Sequence, residues 1–265
     1  MRNRARTFSP EATDGVRCAN VLHDVPHSCS GRSPLLKALL LDLDGTLLDL
    51  DGDAFLESYI DAVAAWLSPV VDAERFSQAV WVGSIPMMTR PHPRRSNRRV
   101  LWEGVGEYLG LPSATLEKHL GERLGEEDLA AIYPGGQPVA GARDLLLLGQ
   151  RLKLKLALAT MPIYPEAVVR ERLRRANLAD IRWDFIATED MDAVKPEAAY
   201  WEAIMAALNV EPAECLVVGD DYFRDIRQVP TGMHTFYVGP YHPGLDPGPS
   251  GTLTDLSRQL ACARS

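Results

Sequence analysis

The sequence predicts an α/β fold built on a doubly wound parallel sheet, with a helical segment inserted near its start. Three observations predict it. Short apolar runs suited to buried strands, at residues 36–43, 152–159 and 215–218, alternate with helical stretches. Between the first and second runs lies a long stretch, about 71–129, that is helical in pattern and has no alternating strand. Asp42, Thr160 and Asp220 stand at the ends of the three runs, and doubly wound sheets bind ligands beyond the carboxyl ends of their strands.

Taken in order, residues 36–43 form the first strand, with Asp42 and Asp44 at its exit and Gly45 behind them. An acidic loop with Asp49, Asp51 and Asp53 leads to an amphipathic helix over 54–67, closed by Ser68-Pro69. The helical stretch that follows is expected to turn at Gly83, Pro86, Pro91-His92-Pro93, Gly110 and Pro112. Tyr133-Pro134-Gly135-Gly136 punctuates the chain before a helix at 139–150. Leucines at 152, 154, 156 and 158 then take strand spacing. Further helices are expected at 165–176, where Pro165 suits a first turn, and at 197–208 and 223–229, with strands at 183–187, 215–218 and 234–238. After Gly239 the chain is rich in Pro and Gly and closes on a short helix at 253–260. The expected organisation is a core of 35–50 and 135–265, a helical insertion of 51–134, and a flexible extension at 1–34.

The 265 residues suffice for one large domain or two modest ones, and 46% apolar with 24% charged residues is ordinary for a globular protein. A net charge of -8 argues against a general nucleic-acid or anionic-membrane binder. It leaves room for a small anionic substrate, because a metal ion reverses the local sign. No stretch reaches the roughly 18 apolar residues of a membrane span, and the arginines before Ser33 lack the apolar core of a signal peptide. The four cysteines form no Cys-x-x-Cys pair and no disulfide framework, so a reducing, cytoplasmic setting is expected, with Cys215 a core hydrophobe. Cys18, His23, His27 and Cys29 fit none of the usual zinc spacings.

The chemistry-bearing residues are Asp42-Leu43-Asp44-Gly45-Thr46, then Thr160, then Lys195-Pro196, then Gly219-Asp220-Asp221 with Asp225. Carboxylates, a hydroxyl and a lysine are what phosphoryl transfer uses: a nucleophile, charge neutralisation and a proton donor. The order and spacing of these four segments, across residues 35–238, resemble the haloacid dehalogenase (HAD) superfamily, most commonly magnesium-dependent phosphatases. The resemblance implies a Rossmann-like core with a helical cap inserted after the first motif. It implies that Asp42 is the nucleophile that forms an aspartyl-phosphate. Asp44 would be the general acid and then the base, with its main-chain carbonyl on the metal. Mg²⁺ would be held by Asp42, Asp44 and Asp220, a hard oxygen set. Thr160 would donate to a phosphoryl oxygen and Lys195 would neutralise Asp42 and the phosphate. Thr46 would bond back into its loop, Asp221 would reach a metal-bound water, and Asp225 would orient Lys195 or a water. The segment Thr160-Met161-Pro162-Ile163-Tyr164-Pro165 is similar to Thr-Asn-Pro-x-Phe-Pro of one HAD subgroup, with Met161 in place of Asn.

The expected partner is a small phosphorylated substrate, with no nucleic acid and no membrane. A second Asp in the first motif favours phosphatase over dehalogenase, whose relatives usually lack it; a phosphomutase uses the same pair. The alternatives from other classes are a phospho-accepting receiver-like module, which the large insertion opposes, and a binding protein on a retired hydrolase fold, which would have lost a catalytic group. An EF-hand at 49–60 is rejected, since Ala54 and Ile60 replace the needed Gly and Glu. Arg94, Arg95, Arg98 and Arg99 read as a solvated face, with a substrate-gripping role as the sharper alternative. Trp81 and Trp102 read as core.

Overall fold

The computed structural model describes residues 35–121, 129, 131–132 and 135–262. The extension at 1–34 and the Cys18, His23, His27 and Cys29 group lie outside the described residues. A five-stranded parallel sheet has the order β5-β4-β1-β6-β7, made of β1 (Ala38–Leu41), β4 (Lys155–Leu158), β5 (Phe185–Ile186), β6 (Cys215–Gly219) and β7 (His234–Tyr237). β1 is central: Leu39 lies between Leu156 and Leu216, and Leu41 between Leu158 and Val218.

Side chains alternate across the strands, so the sheet has two buried faces. Leu39, Leu41, Leu156, Leu158, Leu216 and Val218 face one core cluster, and Ala38, Leu40, Ala157, Ala159, Cys215 and Val217 the other. The first is backed by α5 (Ala142–Arg151), α6 (Glu166–Arg175) and α8 (Leu253–Cys262). On the second face alanines predominate because α7 (Ala198–Leu208) fills the space with the fully buried Tyr200 and Trp201. Cys215 is buried, as its sequence context implied, and burial pushes its thiol up to about 12.

Two short antiparallel strands, β2 (Leu48–Asp49) and β3 (Gln137–Pro138), close off the insertion. Between them stand α1 (Gly52–Leu67), α2 (Ala73–Thr89), α3 (Asn97–Leu109) and α4 (Ser113–Gly121). They bury Val63, Leu67, Phe76, Trp102, Val105 and Leu109 against one another. Asp51, read as part of an acidic loop, is the N-cap of α1: its Oδ1 accepts from the amides of Asp53 (3.0 Å) and Ala54 (3.1 Å).

The structure corrects several local expectations. α2 runs straight through Gly83 and Pro86, both expected as turns. Proline removes one helical donor, yet the helix continues and Arg90 N donates to Pro86 O at 3.1 Å. Packing decides, because α2 lies directly on α3. A Cβ on Gly104 would come 2.7 Å from Gly83 O and 2.8 Å from Gly83 Cα. Trp81, expected in the core, is 52% exposed, whereas Trp102 is buried. The short helix expected at 223–229 is a single π-helical turn, Tyr222–Ile226. Among the described residues no helix is long and apolar enough to cross a membrane.

The helix contact yields a stability prediction. Gly104→Val forces α2 and α3 apart and should cost about 1–3 kcal/mol in denaturant unfolding. Gly121→Ala, where a methyl meets nothing within 4 Å, should stay within about 0.5 kcal/mol of the wild type.

Candidate active site

Asp42 follows β1, Thr160 follows β4 and Asp220 follows β6, and these are the three adjacent central strands. The sheet therefore delivers two carboxylates and a hydroxyl to one edge. Asp42 is anchored by its amide, which donates to Val218 O at 2.9 Å. The turn after it depends on Gly45: its φ is +75°, and a Cβ there would lie 2.1 Å from Asp220 Oδ2. Only glycine lets the first loop close on the Asp220 carboxylate.

Lys195 lies in the loop before α7 and is 3% exposed. Its Nζ donates to Asp42 Oδ1 and to Asp225 Oδ1, each at 2.6 Å. Burial alone would favour the neutral amine, but Asp225 and Asp42 outweigh it and hold the ammonium above its ordinary value. Burial pushes the Asp225 carboxyl up, and Lys195 pulls it back. Asp220 is pushed up to about 6 by burial and by the Asp42 carboxylate, against a hydrogen bond from Thr46. That bond, Thr46 Oγ1 to Asp220 Oδ1 at 3.0 Å, spans two strand exits, whereas the sequence suggested a bond within its own loop.

One carboxylate oxygen from each of Asp42, Asp220 and Asp225 lies within 4.8 Å of the others. This all-oxygen set suits a hard divalent cation. Asp42 gives one oxygen to Lys195 and Asp220 one to Thr46, while Asp225 uses one oxygen for Lys195 and the other for the Asp221 amide (3.2 Å). Asp42 and Asp220 thus fit a cation better than Asp225. Asp221 lines the cavity, and its Oδ1 caps the following turn, accepting from Phe223 N (2.9 Å) and Arg224 N (3.0 Å). Thr160 is 2% exposed and lines the cavity, and its carbonyl accepts from Tyr200 OH at 2.8 Å.

The Asp44 carboxylate is outside that cluster and is forked by Arg172, through Nη2 to Oδ2 and Nε to Oδ1 (3.2 Å). Arg172 is fully buried, with its guanidinium 4.7 Å from the Tyr164 ring centre and 5.0 Å from that of Phe55. Burial pulls it down to about 10, with Asp42 pulling the other way, so it stays charged at neutral pH. Asp44 keeps 20% of its side chain exposed and lines the cavity. Sequence reasoning missed Arg172, which sits in a helix with Arg170, Arg174 and Arg175. The signal was its position: it lies four residues after Val168 and three after Val169, on the stripe that α6 buries.

Asn97 was missed as well. It is fully buried at the start of α3, and its Nδ2 donates to Pro162 O (2.9 Å) and Ala193 O (3.0 Å), while Oδ1 meets His92 Nε2 at 2.7 Å. It fastens the insertion to the loops that carry Thr160 and Lys195. Arg95 and Arg99 pair with Glu103, and Arg98 with Glu117. Arg94, Arg95, Arg98 and Arg99 are not among the residues that line the cavity, which supports reading them as a solvated face.

The sequence signature of haloacid dehalogenase-like hydrolases matches residues 36–227. The chain belongs to this family. No curated protein sequence matches the chain. Its fold is similar to a HAD phosphatase from Thermococcus onnurineus, at TM-score 0.50 and 20% identity, covering 85% of this chain and 98% of that one. It is similar to a 2-haloacid dehalogenase from Pseudomonas syringae pv. Tomato DC3000, at TM-score 0.55 and 21% identity, covering 86% and 100%. A putative beta-phosphoglucomutase from Thermotoga maritima aligns at TM-score 0.48 and 18% identity, covering 85% and 99%. The first two likenesses show a fold that a phosphatase and a dehalogenase share.

Two predictions follow from this HAD site. Asn97→Ala strands two buried carbonyls and should cost about 2–3 kcal/mol in unfolding. Glu189, beside the cavity, is pushed from 4.5 to about 7, chiefly by burial. Its folded form therefore holds a proton that the unfolded chain has released, and stability falls as pH rises between those values. The slope reaches at most about 1.4 kcal/mol per pH unit. Glu189→Gln should make the slope shallower by up to that amount and leave the contribution of Asp220, as read from unfolding midpoints across the range.

Proposed function

We propose that this HAD hydrolase is a Mg²⁺-dependent phosphatase acting on a small phosphorylated metabolite through an aspartyl-phosphate. The observation that carries the proposal is Asp44, a second carboxylate facing the cavity with a buried arginine dedicated to it. A halide leaves without a proton, so a dehalogenase has no use for such a group, whereas an alkoxide needs an acid.

A free Asp42 oxygen attacks phosphorus, the bond from phosphorus to the ester oxygen breaks, and Asp44 gives that oxygen its proton. Asp44 then takes a proton from water as the water attacks the phosphoryl group on Asp42, releasing inorganic phosphate and restoring both carboxyl groups. Lys195 and Thr160 hold phosphoryl oxygens as charge moves onto them. Arg172 acts through Asp44 and is a positioning residue. Asp42, Asp220 and the Asp44 carbonyl would hold Mg²⁺, which when bound supplies positive charge at the phosphoryl group. The charge count supports a divalent ion: as carboxylates, the clustered Asp42, Asp220 and Asp225 bring three negative charges against one positive from Lys195. Residues 51–134 act as a cap over the core of 35–50 and 135–265, excluding water from the site.

The test is phosphate release from an aryl phosphate with and without Mg²⁺. Asp42→Asn should abolish turnover, and turnover retained in a clean sample would overturn the mechanism. Asp44→Asn should lower kcat about 10²–10⁴-fold. Arg172→Met should fall between Asp44→Asn and wild type, losing more with an alkyl than with an aryl phosphate, whose oxide leaves without a proton. Equal losses on both esters would give Arg172 a purely structural role.

A further inference from the structure

Beyond Asp42, Lys195 and Asp220 opens a cavity of about 560 Å³ that extends between α1, α2 and α3. The size suits a drug-sized ligand, far larger than a phosphoryl group. Its two ends differ in chemistry. The carboxylates, Lys195 and Arg224 lie at the sheet end, and Arg224 is itself 3.4 Å from Asp221. The helical walls are apolar, built by Ile60 and Val63 of α1, Val80 and Met87 of α2, and Leu101 and Trp102 of α3. Trp81 and Met88 carry this lining out to the surface, 52% and 38% exposed.

The polar groups on the walls are few. Ser84 donates its hydroxyl to Trp81 O at 2.9 Å, within its own helix. The others are Asp51 and Asp53 at the start of α1, Glu189, and the hydroxyls of Tyr59 and Tyr164, and none of them carries positive charge. Arg95 and Arg99 pair with Glu103 outside the cavity, and Arg98 pairs with Glu117 and, at 3.8 Å, with Glu189 on the cavity wall. Among the described residues the cations that line the cavity, Lys195 and Arg224, stand at the sheet end, so a second phosphate or a carboxylate on the part of the substrate between the helices would meet no cation there, and the hydroxyls of a sugar would be stripped of water with few partners.

Resting on the phosphatase proposal above, we infer that the substrate is a monophosphate ester of a large apolar alcohol, carrying no second anionic group. The phosphoryl group sits at the sheet end, and the alkyl or aryl body fills the chamber between α1, α2 and α3.

The experiment is kcat/KM, with Mg²⁺, for n-alkyl monophosphates from ethyl to octyl, set against glycerol phosphate and glucose 6-phosphate. The wild type should gain about two- to fourfold per methylene, the fold-change equivalent of burying each one, and should disfavour both polyol esters. Val80→Asn and Leu101→Asn, checked for native circular dichroism, should flatten the series, with octyl phosphate losing far more kcat/KM than ethyl phosphate. The wild-type series decides the inference even if both variants fail to fold. Turnover that ignores chain length, or that favours glucose 6-phosphate, overturns the inference and leaves the phosphatase proposal standing. No Mg²⁺-dependent release from any ester overturns both.

Discussion

The Lys195 ammonium, held 2.6 Å from both Asp42 and Asp225, is the interaction on which the rest of the site depends. A buried ammonium is tolerable only with its charge met and its protons bonded. Here the partners come from the exit of β1 and from the turn after β6, 153 and 30 residues away in sequence. Meeting that demand draws the two strand exits together and brings Asp220 up beside Asp42. The crowding of like charges is the cost, visible in the raised Asp220 and relieved in part by Thr46. Removing Lys195 would leave the Asp42 and Asp225 carboxylates with no cation between them.

A second buried cation repeats the arrangement on the other side of the first loop. Arg172 leans on the rings of Phe55 and Tyr164 and forks the Asp44 carboxylate. The two acids of one short loop are thus hydrogen-bonded to different cations, from different elements. Asp42 and Asp44 lie two apart in sequence, and this separate anchoring is what gives them distinct surroundings. The insertion is fastened to the same region: Asn97 bonds the loops of Thr160 and Lys195, and the amide of Arg98 donates to Glu189 O at 2.8 Å.

Much of this was legible in the sequence. The parallel sheet followed from apolar runs alternating with helices, and the positions of Asp42, Thr160 and Asp220 followed from runs that end in polar residues. These signals are local. What escaped depends on partners distant in the chain. Arg172 looks like one arginine among several until its place on the buried stripe of α6 is weighed. Asn97, inside an arginine-rich segment, looks solvated. Gly83 and Pro86 carry turn signals that the contact with α3 overrides, since a helix held along its length by packing tolerates one lost hydrogen bond. The capping role of Asp221 escaped because it depends on the backbone of the turn that follows it.

The separation of a charged end from an apolar chamber has an electrostatic consequence. Attraction between Lys195 and an anion strengthens as water is removed, because the effective dielectric falls. An apolar body filling the chamber would expel that water without offering competing dipoles. The same low polarity explains why Glu189 and Asp220 hold their protons to unusually high pH. Burial penalises isolated negative charge along the cavity and leaves paired charge, at Lys195 and Arg172, in place. The apolar walls of α1 to α3 and the charged strand exits therefore act together: the walls keep water away from the carboxylates, and the buried cations keep those carboxylates where a phosphoryl group could meet them.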